Sequence, residues 1–226
     1  MRELLATAEP LELYATAEAA ARNADILSGY SVQLVSEKVA ASLSETVTPQ
    51  GLIAVASLLD TDLERALGGT PQLVAVLVEP RDPGNVGTII RLADAAGADA
   101  VVLVGDSVDP HNGKCVRASV GSHFHLPIAV APSPAAAFQS LRDRGLRQIA
   151  TSAGGARTLD ALLDDATLSR PHAWVYGNES RGLGAEVLSH CDDVVAIPIY
   201  GRAESLNLAS AAAITLYASA RSQRLR

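Results

Sequence analysis

The stretch LVAVLVEPRDPGNVGTIIRLADAAGADAVVLVG, residues 73–105, decides how the rest of the chain is read. It opens on LVAVLVEP (73–80), a continuous apolar run of strand length, and closes on a second, DAVVLVG (99–105). Between them NVGTIIRLADAAGA (85–98) has its apolar residues at helical spacing and ends on a Gly stop. Strand, helix and strand at this spacing make a parallel unit. Strands that are apolar along their whole length, rather than alternating, belong to a sheet covered on both faces.

The same alternation continues toward the C-terminus. SPAAAFQSLRDRG (133–145) reads as a helix, LRQIATSA (146–153) as a strand, LDALLDD (159–165) as a short helix and HAWVYG (172–177) as a strand. GAEVLSHC (184–191) is a short helix, VVAIPI (194–199) a strand, and SLNLASAAAITLYASARSQR (205–224) a long terminal helix. The expected class is α/β with a parallel sheet.

Toward the N-terminus the signal weakens. RELLATA (2–8) reads as a strand, PLELYATAEAAARNADIL (10–27) as a helix, SVQLVSEKVAASLS (31–44) as a strand running into a helix, and GLIAVASLL (51–59) as a strand. ERALGGTPQ (64–72) has the Gly and Pro of a linker. The expected division is a small α/β unit over 1–68, lacking its first element, and a large domain over 69–226.

Composition narrows the function. Hydrophobic residues make up 48% and charged residues 19% of the 226, an ordinary globular balance. Aromatics are only 4%, so the core is built mainly of Ala, Val, Leu and Ile. The net charge of −7 excludes a protein that coats nucleic acid through bulk charge, while leaving room for a local basic patch. Cys115 and Cys191 stand far apart with no CxxC, which fits a reducing compartment. With no signal peptide and no membrane-length apolar run, the expected place is the cytoplasm.

In open parallel sheets ligands bind beyond the carboxyl ends of the strands. Four loops fall there: EPRDPGNVG (79–87), TSAGGAR (151–157), GNESRGLG (177–184) and PIYGRAESLN (198–207). All are rich in Gly, Asn and charge. Common fingerprints are missing from them. There is no GxGxxG, no GxxxxGK[ST], no HExxH and no GxSxG. His123 and His125 read as alternating positions of a strand entering LPIAV, and no metal site is expected. What remains is a loop set that lets backbone N–H groups approach a ligand, because Gly removes the Cβ obstacle. Ser205 and Asn207 sit where a side-chain oxygen caps the last helix, and a plain N-cap accounts for Ser205 as well as a functional role does. Arg91, six residues after Asn85 on one helix, is expected to share the sheet's carboxyl edge with it.

Three of these stretches, EPRDPGNVGTIIRLADAAGADAVVL, AWVYGNESRGL and IPIYGRAESLNLASAAAITLY, resemble in order and spacing the motifs of the SpoU/TrmH-type RNA ribose methyltransferases of the SPOUT superfamily. The resemblance covers about residues 73–224. The segment VQLVSEKVAASLSETVTPQGLIAV resembles the second half of the L30e-like substrate-binding domain of such enzymes. The resemblance implies a C-terminal trefoil knot, S-adenosylmethionine as cofactor, and methyl transfer to a ribose 2′-hydroxyl of RNA, with ribosomal RNA ahead of transfer RNA and no DNA or membrane partner. It further implies a homodimer through the knotted domain, for which the Ala-rich last helix is suited. Asn85, Arg91, Glu179, Ser205 and Asn207 match the polar motif positions. Gly177, Ile197 and Leu206 match backbone contacts to the cofactor, with Asn178 beside them and Thr151 on the adenine side. Glu179, with Asn85, is expected to organise the nearby cation Arg91 or to orient the ribose. The RNA would meet Arg81, Lys114, Arg117, Arg157, Arg181 and Arg202. Two rival readings are an RNA- or cofactor-binding protein without activity and an α/β enzyme using a nucleotide cofactor.

Overall fold

The structure is a computed structural model of the 226-residue chain, and it describes residues 1–44, 46, 48–59 and 61–224. Glu45 and Val47, inside the stretch that resembles an L30e-like half-domain, lie outside the described residues, as do Asp60, Leu225 and Arg226. The chain divides into two compact units, Met1–Leu59 and Asp60–Arg226. The boundary falls before the linker expected from sequence, because Leu63–Ala66 forms a helix (α5 below) that packs within the larger unit.

The smaller unit runs α1 (Arg2–Thr7), β1 (Glu12–Ala15), α2 (Ala17–Arg22), α3 (Ala24–Leu27), β2 (Gln33–Leu34), α4 (Glu37–Ser42) and β3 (Leu52–Val55). Its sheet has the order β2-β1-β3, parallel on one side of β1 and antiparallel on the other. Two expectations are corrected here. RELLATA is a helix with only Leu4 buried, not a strand. The predicted helix over 10–27 instead begins as β1, in which Leu13 and Ala15 are buried, and only then turns helical behind the Thr16 cap.

The larger unit runs α5 (Leu63–Ala66), β4 (Leu73–Val78), α6 (Pro83–Ala96), β5 (Ala100–Val104), α7 (Gly113–Ser119), β6 (Ile128–Ala131), α8 (Pro134–Asp143), β7 (Arg147–Thr151), β8 (Arg157–Thr158), α9 (Leu159–Asp164), β9 (His172–Tyr176), α10 (Ala185–His190), β10 (Asp193–Ala196) and α11 (Leu208–Arg224). Its seven strands lie in the order β6-β5-β4-β9-β7-β10-β8, and every pairing is parallel. The strand reading of His123 and His125 does not hold. Ser122–Phe124 is a single 3₁₀ turn, and the His125 ring lies 2.8 Å from the Asp94 carboxylate. Among the described residues no cluster of His, Cys, Asp and Glu suits a metal ion. No described helix is long and apolar enough to cross a membrane.

Every residue of β4, β5 and β9 is buried, as continuous apolar runs require. One face of the sheet sends Ala75, Leu77, Leu103, Trp174 and Tyr176 against α6, α9 and α11. The other sends Val74, Val76, Val102 and Val175 against α5 and α8. On the first face β9 carries polar atoms as well. The Tyr176 hydroxyl lies 2.7 Å from Thr215 Oγ1, Trp174 Nε1 donates to Ser219 Oγ at 2.8 Å, and His172 Nε2 lies 2.7 Å from the same oxygen. Thr215 and Ser219 are one helical turn apart on α11, and His172, Trp174 and Tyr176 are alternate residues of β9. The two periods match, so the last helix has one position on the sheet. Burial pushes the His172 imidazole down to about 4, which keeps it neutral and lets it accept.

Candidate functional site

Four adjacent strands, β4, β9, β7 and β10, end in the four loops singled out from sequence. Three of those loops, with Asn85 from the fourth, line one cleft of about 670 Å³. Thr151 contributes from the end of β7, Gly177, Asn178, Glu179 and Arg181 from the loop after β9, and Ile197, Ser205, Leu206 and Asn207 from the segment after β10. All five predicted cofactor contacts therefore fall in one wall system, together with four of the five predicted catalytic positions.

The loop after β9 is rigid by construction. Asn178 and Gly182 exchange backbone hydrogen bonds at 3.1 and 2.8 Å. Asn178 Oδ1 accepts from the N–H groups of Ser180 and Arg181, and its Nδ2 donates to the Glu79 carbonyl at 2.8 Å. Gly177 is packed under this ring. A Cβ on it would stand 2.6 Å from the Gly182 carbonyl oxygen and 2.7 Å from Leu183 N. Only glycine fits.

The segment after β10 is the opposite case. From Ile197 to Leu206 no backbone N–H or C=O makes a hydrogen bond within the described protein. Unpaired backbone groups lining a cleft call for water or a ligand. Ile197, Ile199 and Leu206 put apolar side chains beside them in the same wall. The cleft thus offers apolar contact together with main-chain donors and acceptors, the character of a small-molecule site.

At the rim the polar side chains form a chain. Glu179 accepts from the backbone N–H groups of Arg81 and Asp82 and from Asn85 Nδ2, each at 3.2 Å. Asn207 Nδ2 donates to Asn85 Oδ1 at 3.2 Å. Burial alone would raise the Glu179 carboxyl. Hydrogen bonds from its own N–H, from Asn85 and from residues 81 and 82 outweigh that and hold it below the usual range. Glu179 is therefore a carboxylate that orients Asn85, and the expectation that it organises Arg91 is corrected. Arg91 is exposed on α6 and does not line the cleft. Six residues of helix carry it about 9 Å along the axis and well over a full turn from Asn85. Asn207 Oδ1 also caps α11, accepting from Ala209 N at 2.9 Å and Ser210 N at 3.3 Å. Ser205 is not the cap; it is exposed on the cleft wall.

The predicted RNA-facing cations separate into two groups. Arg81 pairs with Asp106 at 2.7 Å, Lys114 with Asp82 at 3.0 Å and Arg181 with Glu79 at 2.7 Å. Asp82, which also caps α6, is held below the usual carboxylate range by Lys114 first and then by the N–H groups of Asn85 and Gly84. Arg117 and Arg202 are exposed and have no ion-pair partner among the described residues, and the same holds for Arg91, expected from sequence as a catalytic position. Arg157 is excluded from the rim, since it ties the sheet edge together through Asp193 and Asp165. Both thiols are pushed up to about 12, chiefly by burial, so neither cysteine is a nucleophile at neutral pH. Sequence reasoning missed Glu79 and Asp82. Asp82 had a readable signal, Asp before Pro at a helix start. Glu79 had none.

Fold and site together define an α/β protein with a cleft at the carboxyl edge of a parallel sheet, walled by loop backbone beside an Asn–Glu–Asn polar chain. Residues 72–217 match the SpoU rRNA Methylase family, and the chain belongs to that family. It is 37% identical over 193 residues to the 23S rRNA (guanosine(2553)-2′-O)-methyltransferase RlmP of Bacillus subtilis (strain 168), covering 85% of this chain and 74% of that protein. It is 35% identical over 176 residues to the 23S rRNA (uridine(2479)-2′-O)-methyltransferase of Streptomyces viridochromogenes, covering 76% and 61%. The crystal structure of the SpoU methyltransferase AviRb from Streptomyces viridochromogenes, in complex with AdoMet, superposes with a TM-score of 0.82 at 29% identity, over 96% of this chain and 84% of that one.

Proposed function

We propose that the chain transfers a methyl group from S-adenosylmethionine to a ribose 2′-hydroxyl of ribosomal RNA. The observation that carries this reading is the juxtaposition of the unpaired backbone of Ile197–Leu206 with the Glu179–Asn85–Asn207 chain in one cleft. Membership of the family and relatives named for 23S rRNA favour ribosomal over transfer RNA and an active enzyme over an inert binder.

Thr151, Gly177, Asn178, Ile197 and Leu206 would hold the cofactor, the first at the end of β7 and the others from the two flanking loops. When bound, S-adenosylmethionine supplies an electrophilic methyl group on a sulfonium. The reaction is an in-line displacement in which an oxygen–carbon bond forms as a sulfur–carbon bond breaks and the hydroxyl gives up its proton, so orientation supplies much of the rate. Glu179, held ionised, aligns Asn85, and Asn207 aligns it from the other side. Ser205 presents a hydroxyl on the same wall to the ribose. Glu179 already accepts three hydrogen bonds and is a weak base. The proton leaves to an RNA phosphate or to solvent. Arg91 acts as an exposed cation toward the RNA, outside the cofactor cleft, since arginine does not act as a base.

The further parts of the reading are these. The segments after β9 and β10 wrap one cleft before α11 returns to β9, which supports a trefoil knot. Exposed Tyr217 and Ile214 on α11, with apolar grooves of about 440 and 410 Å³ beside them, support a homodimer through this unit. The smaller unit is the L30e-like part. Its Arg2 and Arg22 are paired with Asp25 and Glu18, and Lys38 is exposed with no ion pair among the described residues; so few cations support reading RNA by shape more than by charge.

The test is to incubate the full chain with methyl-labelled cofactor and unmodified ribosomal or transfer RNA, then map 2′-O-methyl positions. Label at one ribosomal ribose is the expected result. Cofactor binding with no label in either RNA would refute the enzyme reading.

A further inference from the structure

Glu79 stands at the end of β4 with a φ of +48°, in the left-handed region that a residue with a side chain rarely adopts. Such an outlier persists only where its surroundings hold it, and it points to a use for the side chain kept there. The backbone is held at both ends. Glu79 N donates to Val104 O at 2.9 Å, and Glu79 O accepts from Asn178 Nδ2 at 2.8 Å. The side chain lies over Gly105, whose added Cβ would stand 3.1 Å from Glu79 Cγ. Among the described residues the carboxylate itself makes one polar contact, Oε2 accepting from Arg181 Nη2 at 2.7 Å.

That contact is not what holds the cofactor loop. The loop is fixed by the Asn178–Gly182 pair, by the two Asn178 side-chain interactions and by the three bonds to Glu179. The Glu79–Arg181 pair is open to water, with side-chain exposures of 38% and 66%, and pairs of this kind are weak. Arg181 lines the cleft within the loop that carries Glu179, beside the polar chain to which the proposed RNA ribose would be brought. The same arrangement recurs twice nearby, Arg81 with Asp106 and Lys114 with Asp82.

We infer that Arg181 is a seat for an RNA phosphate and that Glu79 is a positioning residue occupying it in the free protein, so that phosphate must displace the Glu79 carboxylate. This rests on the proposed RNA substrate. The exchange lets an acidic chain carry a cation at the cleft without attracting other anions, and it leaves the cofactor loop in place because the Asn178 bond uses the Glu79 carbonyl.

The experiment compares wild type, Glu79→Gln, Arg181→Gln and the double variant. Affinity for a fluorescein-labelled ribosomal RNA transcript is read by anisotropy across a salt series, and cofactor affinity by calorimetry. Glu79→Gln keeps the backbone and the shape but removes the competing charge. It should bind RNA roughly fivefold tighter, the worth of one exposed ion pair, with cofactor affinity unchanged. Arg181→Gln should bind more weakly, with a salt slope shallower by about 0.7. The Glu79 effect should vanish in the double variant. Unchanged or weaker RNA binding by Glu79→Gln overturns the inference, as does a Glu79 effect that survives without Arg181. Loss of cofactor affinity in Glu79→Gln also overturns it, marking the residue as a brace. A wild type that methylates RNA while Glu79→Gln binds no tighter leaves the proposed function standing. A wild type that binds no RNA removes both.

Discussion

Replacing Gly177 by Ala tests whether the cleft works through a rigid loop. Gly177 does not need its conformational freedom, since its φ lies outside the left-handed region, so an alanine there meets only a steric problem. The new Cβ would lie 2.6 Å from Gly182 O and 2.7 Å from Leu183 N, against an ordinary contact of 3.4 Å or more. Both obstacles are backbone and cannot rotate away. With Gly182 C nearer still, at 2.4 Å, the ring they belong to must move outward by about 1 Å, against the Asn178–Gly182 bonds and the Asn178–Glu79 bond. Forcing one carbon into a packed site costs about 1–3 kcal/mol. If the loop yields, that energy appears as cofactor affinity lowered roughly tenfold to a hundredfold. If the loop holds, it appears as lost stability. Calorimetric titration with S-adenosylmethionine, paired with urea unfolding, reads both. Gly184→Ala in the same loop is the control, because a Cβ there has nothing within 4 Å. Wild-type affinity together with wild-type stability in Gly177→Ala would refute the reasoning.

Three other expectations follow from the same contacts. Arg91→Ala should keep cofactor affinity, because the side chain lies outside the cleft, and should weaken RNA binding severalfold with a shallower salt dependence; unchanged RNA affinity would remove Arg91 from the RNA-facing surface. Glu179→Gln places an amide donor against three donors and should lower kcat/KM about tenfold, the modest end of the range because the group is partly open to water. His172 is depressed to about 4, so the unfolded chain takes up the proton first; its contribution is complete above about pH 6.5 and is lost on acidification toward pH 4, roughly 3 kcal/mol in all. Urea midpoints across that range should fall less steeply for His172→Gln than for wild type, and parallel curves would show that His172 does not carry the acid limb.

How much of this was legible in the sequence depended on what each residue had to satisfy. β4, β5 and β9 were readable because a strand buried on both faces tolerates no polar interruption, and LVAVLV and AVVLV contain none. The smaller unit was not, because RELLAT and ELYA are too short for either period to dominate; burial of Leu13 and Ala15 against their neighbours decided for a strand where local propensity pointed to a helix. The cleft was largely readable, since backbone contacts demand glycine and open loops whatever the ligand. The relations among charges were not. Sequence places Arg91 near Asn85 along the chain, but helical rotation turns the two apart. It places Glu179 near Arg181, yet the carboxylate reaches across to Asn85 and the guanidinium to Glu79. Each of these partners lies about a hundred residues away, a separation no local pattern encodes. Motif spacing therefore identifies which residues surround a reaction, and only the fold decides which of them hold one another. In this chain the fold reassigns the acid of GNESRGLG from organising a cation to fixing an amide.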